Sequence, residues 1–262
     1  MPADTTPVVE MRGIVKNFGP VQALRGVDLR LDQREVLGLV GDNGAGKSTL
    51  MKVLTGVHQP DAGQIFFEGQ PVHFASPHDS RMMGIEMVYQ DLALAGNLSV
   101  DGNIFLGREK TRRYLGGLIN LLDHKGMVTE AVRLLERLKI DIKSVNYRVE
   151  TLSGGQRQAV AIGRSAGFEA RVVIMDEPTA ALAVKEVSKV LDLIHGLKDH
   201  DVSVILISHR LQDIFAVCDR IMVLRQGQVV GNTPKSETNM DEIVALITGA
   251  QESAMRDVRE AV

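Results

Sequence analysis

Gly41-Asp42-Asn43-Gly44-Ala45-Gly46-Lys47-Ser48 fits the pattern G-x-x-x-x-G-K-[ST]. It follows the apolar run Val36-Leu37-Gly38-Leu39-Val40, and Lys47 to Leu54 after it reads as a helix. A short continuous apolar run suits a strand buried on both faces of a parallel sheet. Strand, glycine loop and helix in that order give the pattern its physical meaning. The glycines let successive backbone N–H groups turn inward around anionic oxygens. The helix opening near Gly46 adds unpaired N–H groups and a positive dipole end. Lys47 is then placed to reach the β- and γ-phosphates of a nucleotide. The Ser48 hydroxyl is placed to ligate Mg²⁺, and Thr49 to bond an α-phosphate oxygen.

Outward from this loop, strand-like and helix-like stretches alternate. Further buried-strand candidates are Ile85 to Tyr89, Val172 to Met175, Val204 to Ile207 and Ile221 to Leu224. Helix candidates with a 3.6-residue apolar period are Val128 to Leu138, Gln156 to Gly167, Val187 to Leu197 and Leu211 to Val217. Val8 to Val15 and Val27 to Leu31 mix apolar and polar residues and read as antiparallel strands. The pattern is α/β with an antiparallel piece at the start. From about 91 to 167 the patterns are mostly helical with no strand, which predicts a helical subdomain inserted between sheet strands. Residues 1–250 read as a single domain and 251–262 as a polar tail.

Of the 262 residues, 44% are hydrophobic and 24% charged, the composition of a soluble globular chain rather than a disordered or collagen-like one. A single cysteine, Cys218, forms no intrachain disulfide and points to a reducing compartment. The N-terminus has no cationic segment followed by an apolar stretch, so no signal peptide is expected. No apolar run approaches the ~20 residues of a spanning helix. The net charge of −3 argues against a dedicated nucleic-acid binder.

Val172-Val173-Ile174-Met175-Asp176-Glu177 is an apolar strand that ends in two carboxylates. Ligands of open α/β sheets bind at the carboxyl ends of strands. Asp176 is therefore expected beside the phosphates, holding Mg²⁺ through water. Strand alternation turns Glu177 elsewhere, as the base, or at least the positioner, for a water in line with the γ-phosphate. Leu152-Ser153-Gly154-Gly155-Gln156 precedes another helical pattern, with Ser153 a good N-cap. It reads either as a plain capped helix or as a second anion site built from a dipole end, bare N–H groups and a hydroxyl. A second phosphate-seeking element in one chain suggests that two chains sandwich each nucleotide.

Taken in order, these three stretches, the last of them running on through Pro178-Thr179, resemble the nucleotide-binding domain of an ABC ATPase over nearly the whole chain. The resemblance implies an α/β fold: a P-loop ATPase core sheet with an N-terminal antiparallel β subdomain and the inserted helical subdomain. It implies ATP as substrate, with Mg²⁺ held by Ser48, Gln90 and Asp176. One face of the nucleotide contacts Phe18, stacked on adenine, and the loop Gly41, Asp42, Asn43, Gly44, Ala45, Gly46, Lys47, Ser48 and Thr49. Ser153, Gly154, Gly155 and Gln156 of the opposing chain contact the other. Glu177, Gln90 and His209 form the catalytic set, with Gln90 sensing Mg²⁺ and the attacking water. His209 either contacts the γ-phosphate or aligns Glu177. A head-to-tail dimer closes on two ATP and opens after hydrolysis.

One stretch departs from the family's pattern. Ala180-Ala181-Leu182-Ala183 stands where Ser-Ala-Leu-Asp is common, so a hydroxyl and a carboxylate that usually cross the dimer interface are absent. Other stretches are similar to bacterial simple-sugar importers of ribose, xylose and fructose type. They are Leu54 to Gly63, Val88 to Leu92, and Asn97 to Val100 leading to Asn103 to Glu109. That likeness implies a homodimer on the cytoplasmic face of the cell membrane. Its partners are transmembrane permease subunits and an extracytoplasmic sugar-binding protein, with no nucleic acid. The alternatives are a soluble ABC ATPase acting on nucleic acid or ribosomes, and a transporter of a non-sugar substrate. Arg108, Lys110, Arg112 and Arg113 read as a solvated basic face or a membrane contact. Met82, Met83 and Met87 read as core or as a docking surface.

Overall fold

A computed structural model of the chain describes residues 6–114 and 119–250. Five parallel strands form its centre: β3 (Val36–Val40), β6 (Ile85–Val88), β9 (Val172–Asp176), β10 (Ser203–Ile207) and β11 (Arg220–Arg225). An antiparallel strand, β12 (Gln228–Pro234), closes one edge, giving the order β12-β11-β3-β10-β9-β6. Every residue of β3 and β10 is buried, as expected for a sheet covered on both faces. The two-residue period sorts their side chains into two cores. Val36, Val40, Val173, Met175, Val204 and Leu206 enter one core; Leu37, Leu39, Val172, Ile174, Ile205 and Ile207 enter the other.

The second core is roofed by α1 (Lys47–Leu54) and by an antiparallel sheet. That sheet has the order β2-β1-β4-β5, from β1 (Val9–Phe18), β2 (Val21–Leu31), β4 (Ala62–Phe67) and β5 (Gln70–Val72). The first core takes in α3 (Val100–Ile104), α4 (His124–Arg137), α5 (Gly154–Ala166), α6 (Val184–Gly196), α7 (Leu211–Val217) and α8 (Met240–Thr248). A short α2 (Pro77–Met82) precedes β6.

Residues 91–167 carry α3, α4 and α5, in line with a mostly helical stretch, but also strands that the sequence did not indicate. They contain a two-stranded antiparallel hairpin, β7 (Thr111–Tyr114) with β8 (Ile119–Leu122). Thr111, Arg112, Arg113, Asn120, Leu121 and Leu122 are all exposed, so the pattern at these positions shows no apolar alternation. Arg112 is tied instead to Asp123, the N-cap of α4, at 2.8 Å. The expected polar tail over 251–262 lies outside the described residues. α8, unread in the sequence, begins at Asn239, whose Oδ1 accepts the Glu242 N–H at 3.0 Å, a standard helix start.

Gly38, in the middle of β3, decides how closely α7 approaches the sheet. A methyl group at Gly38 would lie 2.8 Å from Ile214 Cγ2 and 3.0 Å from Cys218 Sγ. The helix that carries the loop after β10 is thus seated directly on the strand that feeds the glycine loop. Gly38→Val is expected to overpack this contact and cost about 1–3 kcal/mol. The loss should appear as a lower urea midpoint with an unchanged m value; an unaltered midpoint would show that α7 yields freely.

Candidate active site

The loop between β3 and α1 takes a path that only glycine permits at two points. At Gly41 (φ 151°) a Cβ would lie 2.1 Å from the Leu224 carbonyl oxygen; at Gly46 (φ 106°) it would lie 2.8 Å from that of Ala23. The loop is therefore wedged between the end of β11 and the start of β2. Asp42, Asn43, Gly44 and Ser48 are exposed along its mouth, Ala45 is buried and Thr49 half-buried. No acidic residue lies in the first turn of α1, so its positive end is left for an anion. Lys47 folds back onto the loop, its Nζ donating to the carbonyls of Gly41 at 2.7 Å and Asp42 at 3.0 Å. Burial lowers its pKa, while the carboxylates of Glu177, Asp176 and Asp42 work the other way.

β9 brings the acidic pair to the same edge of the sheet. Asp176 ends the strand, in register with Ile207 of β10. Glu177 has already left the strand: its φ is +53° and its N–H donates to the Ile207 carbonyl at 2.9 Å. Its direction comes from this left-handed turn and not from strand alternation, which corrects the reason given by the sequence. A non-glycine residue held in this region carries backbone strain, a common feature of functional sites. Glu177 Oε1 accepts the backbone N–H of His209 at 2.9 Å, and His209 Nε2 lies 3.4 Å from the same oxygen. Burial raises the pKa of Glu177, opposed by His209 and reinforced by Asp176. Burial also raises that of Asp176, opposed first by Lys47.

Gln90 follows β6 and is exposed on a groove of about 500 Å³ that Glu177, Gly154 and Ala180 to Leu182 also line. Two clamps hold the segment after it. Arg164 of α5 donates to the carbonyls of Ala93 at 2.9 Å and Leu92 at 3.1 Å. Asn103 of α3 takes both polar groups of Ala95, at 2.7 and 2.9 Å. Arg164 was not read from the sequence, because an isolated Arg in a helical stretch carries no signal for a carbonyl 71 residues away; Asn103 was read only as the start of a family-like stretch, not as a clamp. The buried Gln158 amide nitrogen, on the same groove, has no partner among the described residues. Thr179 Oγ1 donates to the buried Asp213 at 2.5 Å, tying the turn after Glu177 to α7.

Phe18 ends β1, exposed, with His58 edge-on to its ring at 5.2 Å and Lys16 Nζ 5.8 Å above it. β2, which pairs with β1, touches the glycine loop at Gly46, so the aromatic sits on a sheet anchored to the phosphate cradle. Ser153 belongs to a different neighbourhood. It caps α5 in a reciprocal box, its Oγ accepting the Gln156 N–H at 3.3 Å while Gln156 Oε1 accepts the Ser153 N–H at 3.1 Å. Its further partner is Glu186, not a residue of the Gly41–Thr49 loop. One chain thus assembles a phosphate cradle with carboxylates, and separately presents a second helix start.

The raised pKa values of Asp176 and Glu177 have a defined sign in stability. A carboxylate whose folded pKa exceeds its unfolded value favours the fold at low pH. That advantage is lost as pH rises through the folded pKa, leaving the nucleotide-free protein destabilised above it. Asp176→Asn is expected to raise the melting temperature of the nucleotide-free protein at pH 7, with the increment shrinking as pH falls through the carboxylate range. A variant no more stable than the parent at pH 7 would contradict it.

Residues 24–180 match the family model described as ABC transporter. The chain is 47% identical over 241 residues to a xylose/arabinose import ATP-binding protein of Sulfolobus acidocaldarius, covering 92% of this chain and 94% of that one. It is 45% identical over 248 residues to a fructose import ATP-binding protein of Rhizobium meliloti, covering 94% and 95%. A ribose import ATP-binding protein of Escherichia coli O157:H7 is 42% identical, and there the match spans only 47% of the relative. Among solved structures, a nucleotide-free ATP-binding cassette from an ABC transporter superposes with a TM-score of 0.78 at 27% identity, over 91% of this chain and 95% of that one. With the fold, the glycine loop and 60% of its length inside the family model, the chain belongs to the ABC transporter family.

Proposed function

We propose that this chain is the ATP-binding and ATP-hydrolysing subunit of an importer for a monosaccharide. It works in pairs at the cytoplasmic face of the cell membrane beneath permease subunits fed by an extracytoplasmic sugar-binding protein. The observation that carries the ATPase reading is the meeting, at one sheet edge, of a glycine-only loop, Lys47, Asp176 and a Glu177 held by His209. The sugar is supported by the identity to xylose/arabinose, fructose and ribose import proteins. No helix among the described residues is long and apolar enough to cross a membrane, in keeping with a subunit that leaves the crossing to partners.

The loop N–H groups and Lys47 take the phosphates, and Lys47 exchanges the carbonyls of Gly41 and Asp42 for phosphate oxygens. The Ser48 hydroxyl, Asp176 and Gln90 are the candidate Mg²⁺ ligands. No group of three or more His, Cys, Asp or Glu suited to a metal occurs among the described residues. The hydroxyl, carboxylate and amide oxygens of that set are the donors a hard cation such as Mg²⁺ takes. When bound, Mg²⁺ would neutralise part of the charge on the phosphate oxygens. Glu177 orients the attacking water and accepts its proton, and its raised pKa moves it toward the range useful for that task. His209 fixes the carboxylate through the N–H to Oε1 contact. The second helix start, Ser153 to Gln156, takes the γ-phosphate bound by the opposing subunit. Differential binding of ATP to the closed pair then drives the permease, and hydrolysis resets it.

Glu177→Gln is expected to bind ATP, lose most turnover and accumulate a nucleotide-dependent dimer in light scattering. Turnover near that of the parent would remove Glu177 from its role. Lys47→Ala is expected to lose nucleotide affinity in a direct titration, and unchanged binding would refute its phosphate contact. Co-purification with a hydrophobic permease, and ATPase stimulation by that permease with candidate sugars, tests the transport reading.

A further inference from the structure

The anion-seeking start of α5 already holds an anion of its own chain. Glu186, three residues past the Ala183 N-cap of α6, lies against it. A methyl group at Gly155 would sit 2.9 Å from Glu186 Cβ and 3.1 Å from its Cγ and Cδ. One at Gly154 would sit 3.5 Å from Oε2. The Ser153 hydroxyl and the Gly155 N–H, with the Ala183 N–H, hold the Glu186 carboxyl below the usual range. One carboxylate thus bridges the positive ends of two helices. Ala183, at the N-cap of α6, supplies no side-chain cap. At Gly155 only a glycine leaves room for so close an approach; the contact at Gly154 is an ordinary one.

We propose that Glu186 is a resident competitor for the γ-phosphate of the opposing subunit, and that its displacement sets the ATP concentration at which two subunits close. This rests on the sandwich arrangement proposed above. A γ-phosphate and the Glu186 carboxylate cannot share the Gly155 N–H and the Ser153 hydroxyl, and their like charges repel. The carboxylate has somewhere to go. It borders a groove of about 780 Å³ between α5 and α6, lined also by Lys189 one turn further along α6. Closure therefore exchanges one anion for another at the same donors, and the nucleotide must outcompete an intramolecular ligand.

The test uses the full chain carrying Glu177→Gln, so that closure is not followed by hydrolysis. Dimer mass is measured against ATP with and without a second change, Glu186→Gln, which keeps the shape and removes the charge. Glu186→Asp, which keeps the charge but shortens the reach, serves as the second variant. Thermal melts establish that each is folded. The expected result is a three- to tenfold lower ATP concentration at half-maximal dimer for both, with the ATP affinity of the dilute monomer unchanged. A midpoint that stays put or rises, in folded protein that still dimerises, overturns the proposal. If the Glu177→Gln parent forms no ATP-dependent dimer at all, the sandwich reading fails, and this inference with it.

Discussion

Everything at this site depends on how the chain disposes of positive charge at the edge of the parallel sheet. The glycine loop and the first turn of α1 present N–H groups with no partner in the helix, and Lys47 adds a full charge beside them. Lys47 donates to the carbonyls of Gly41 and Asp42 and sits in the field of Glu177, Asp176 and Asp42. The arrangement stores both signs of charge in a partly dry pocket, where interactions are stronger than in water. That is possible because the backbone at Gly41 and Gly46 passes too close to Leu224 and Ala23 for any side chain.

The same problem recurs at α5 with another solution. There too a helix begins with bare N–H groups, a hydroxyl and two glycines. In place of a lysine folded onto carbonyls, a glutamate from the next helix takes up the donors. Arg164 and Asn103 hold the segment after Gln90 by its backbone groups, and Asp213 holds the turn after Glu177 side chain to side chain. Thr179 is tied to Asp213, and the segment after Gln90 is hung from α5 and α3.

The elements read best from the sequence are those with the strongest local reason to form. β3, α1 and α7 have the residue ranges that the apolar runs and helical period indicate. β9, β10 and β11 run a residue or two longer, because ladder hydrogen bonds extend past the apolar residues. The hairpin β7–β8 and the short strand β5 left no such mark. Gln70, Pro71 and residues 111–113 and 120–122 are exposed and Val72 is only partly buried, so no apolar alternation marks these strands. The candidate site was legible in the same uneven way. The glycine loop, the acidic strand end and the capped glycine pair are contiguous stretches whose chemistry is written locally. Arg164 and Glu186 act on groups far away in the chain or across a helix pair, and nothing beside them in sequence announces it.

The amino-acid order alone therefore determined an α/β sheet, a phosphate-binding loop, a carboxylate pair at a strand end and a second capped helix. Each follows from periodicity, glycine freedom or capping within about ten neighbouring residues. Only the tertiary structure decided that Glu177 turns out of its strand to meet His209, and that Lys47 rests on its own loop. The placing of Glu186 over the start of α5 was likewise a tertiary outcome. These depend on which strand ends lie side by side and how near two helices come, and such distances are set by the packing of the whole sheet and its two cores.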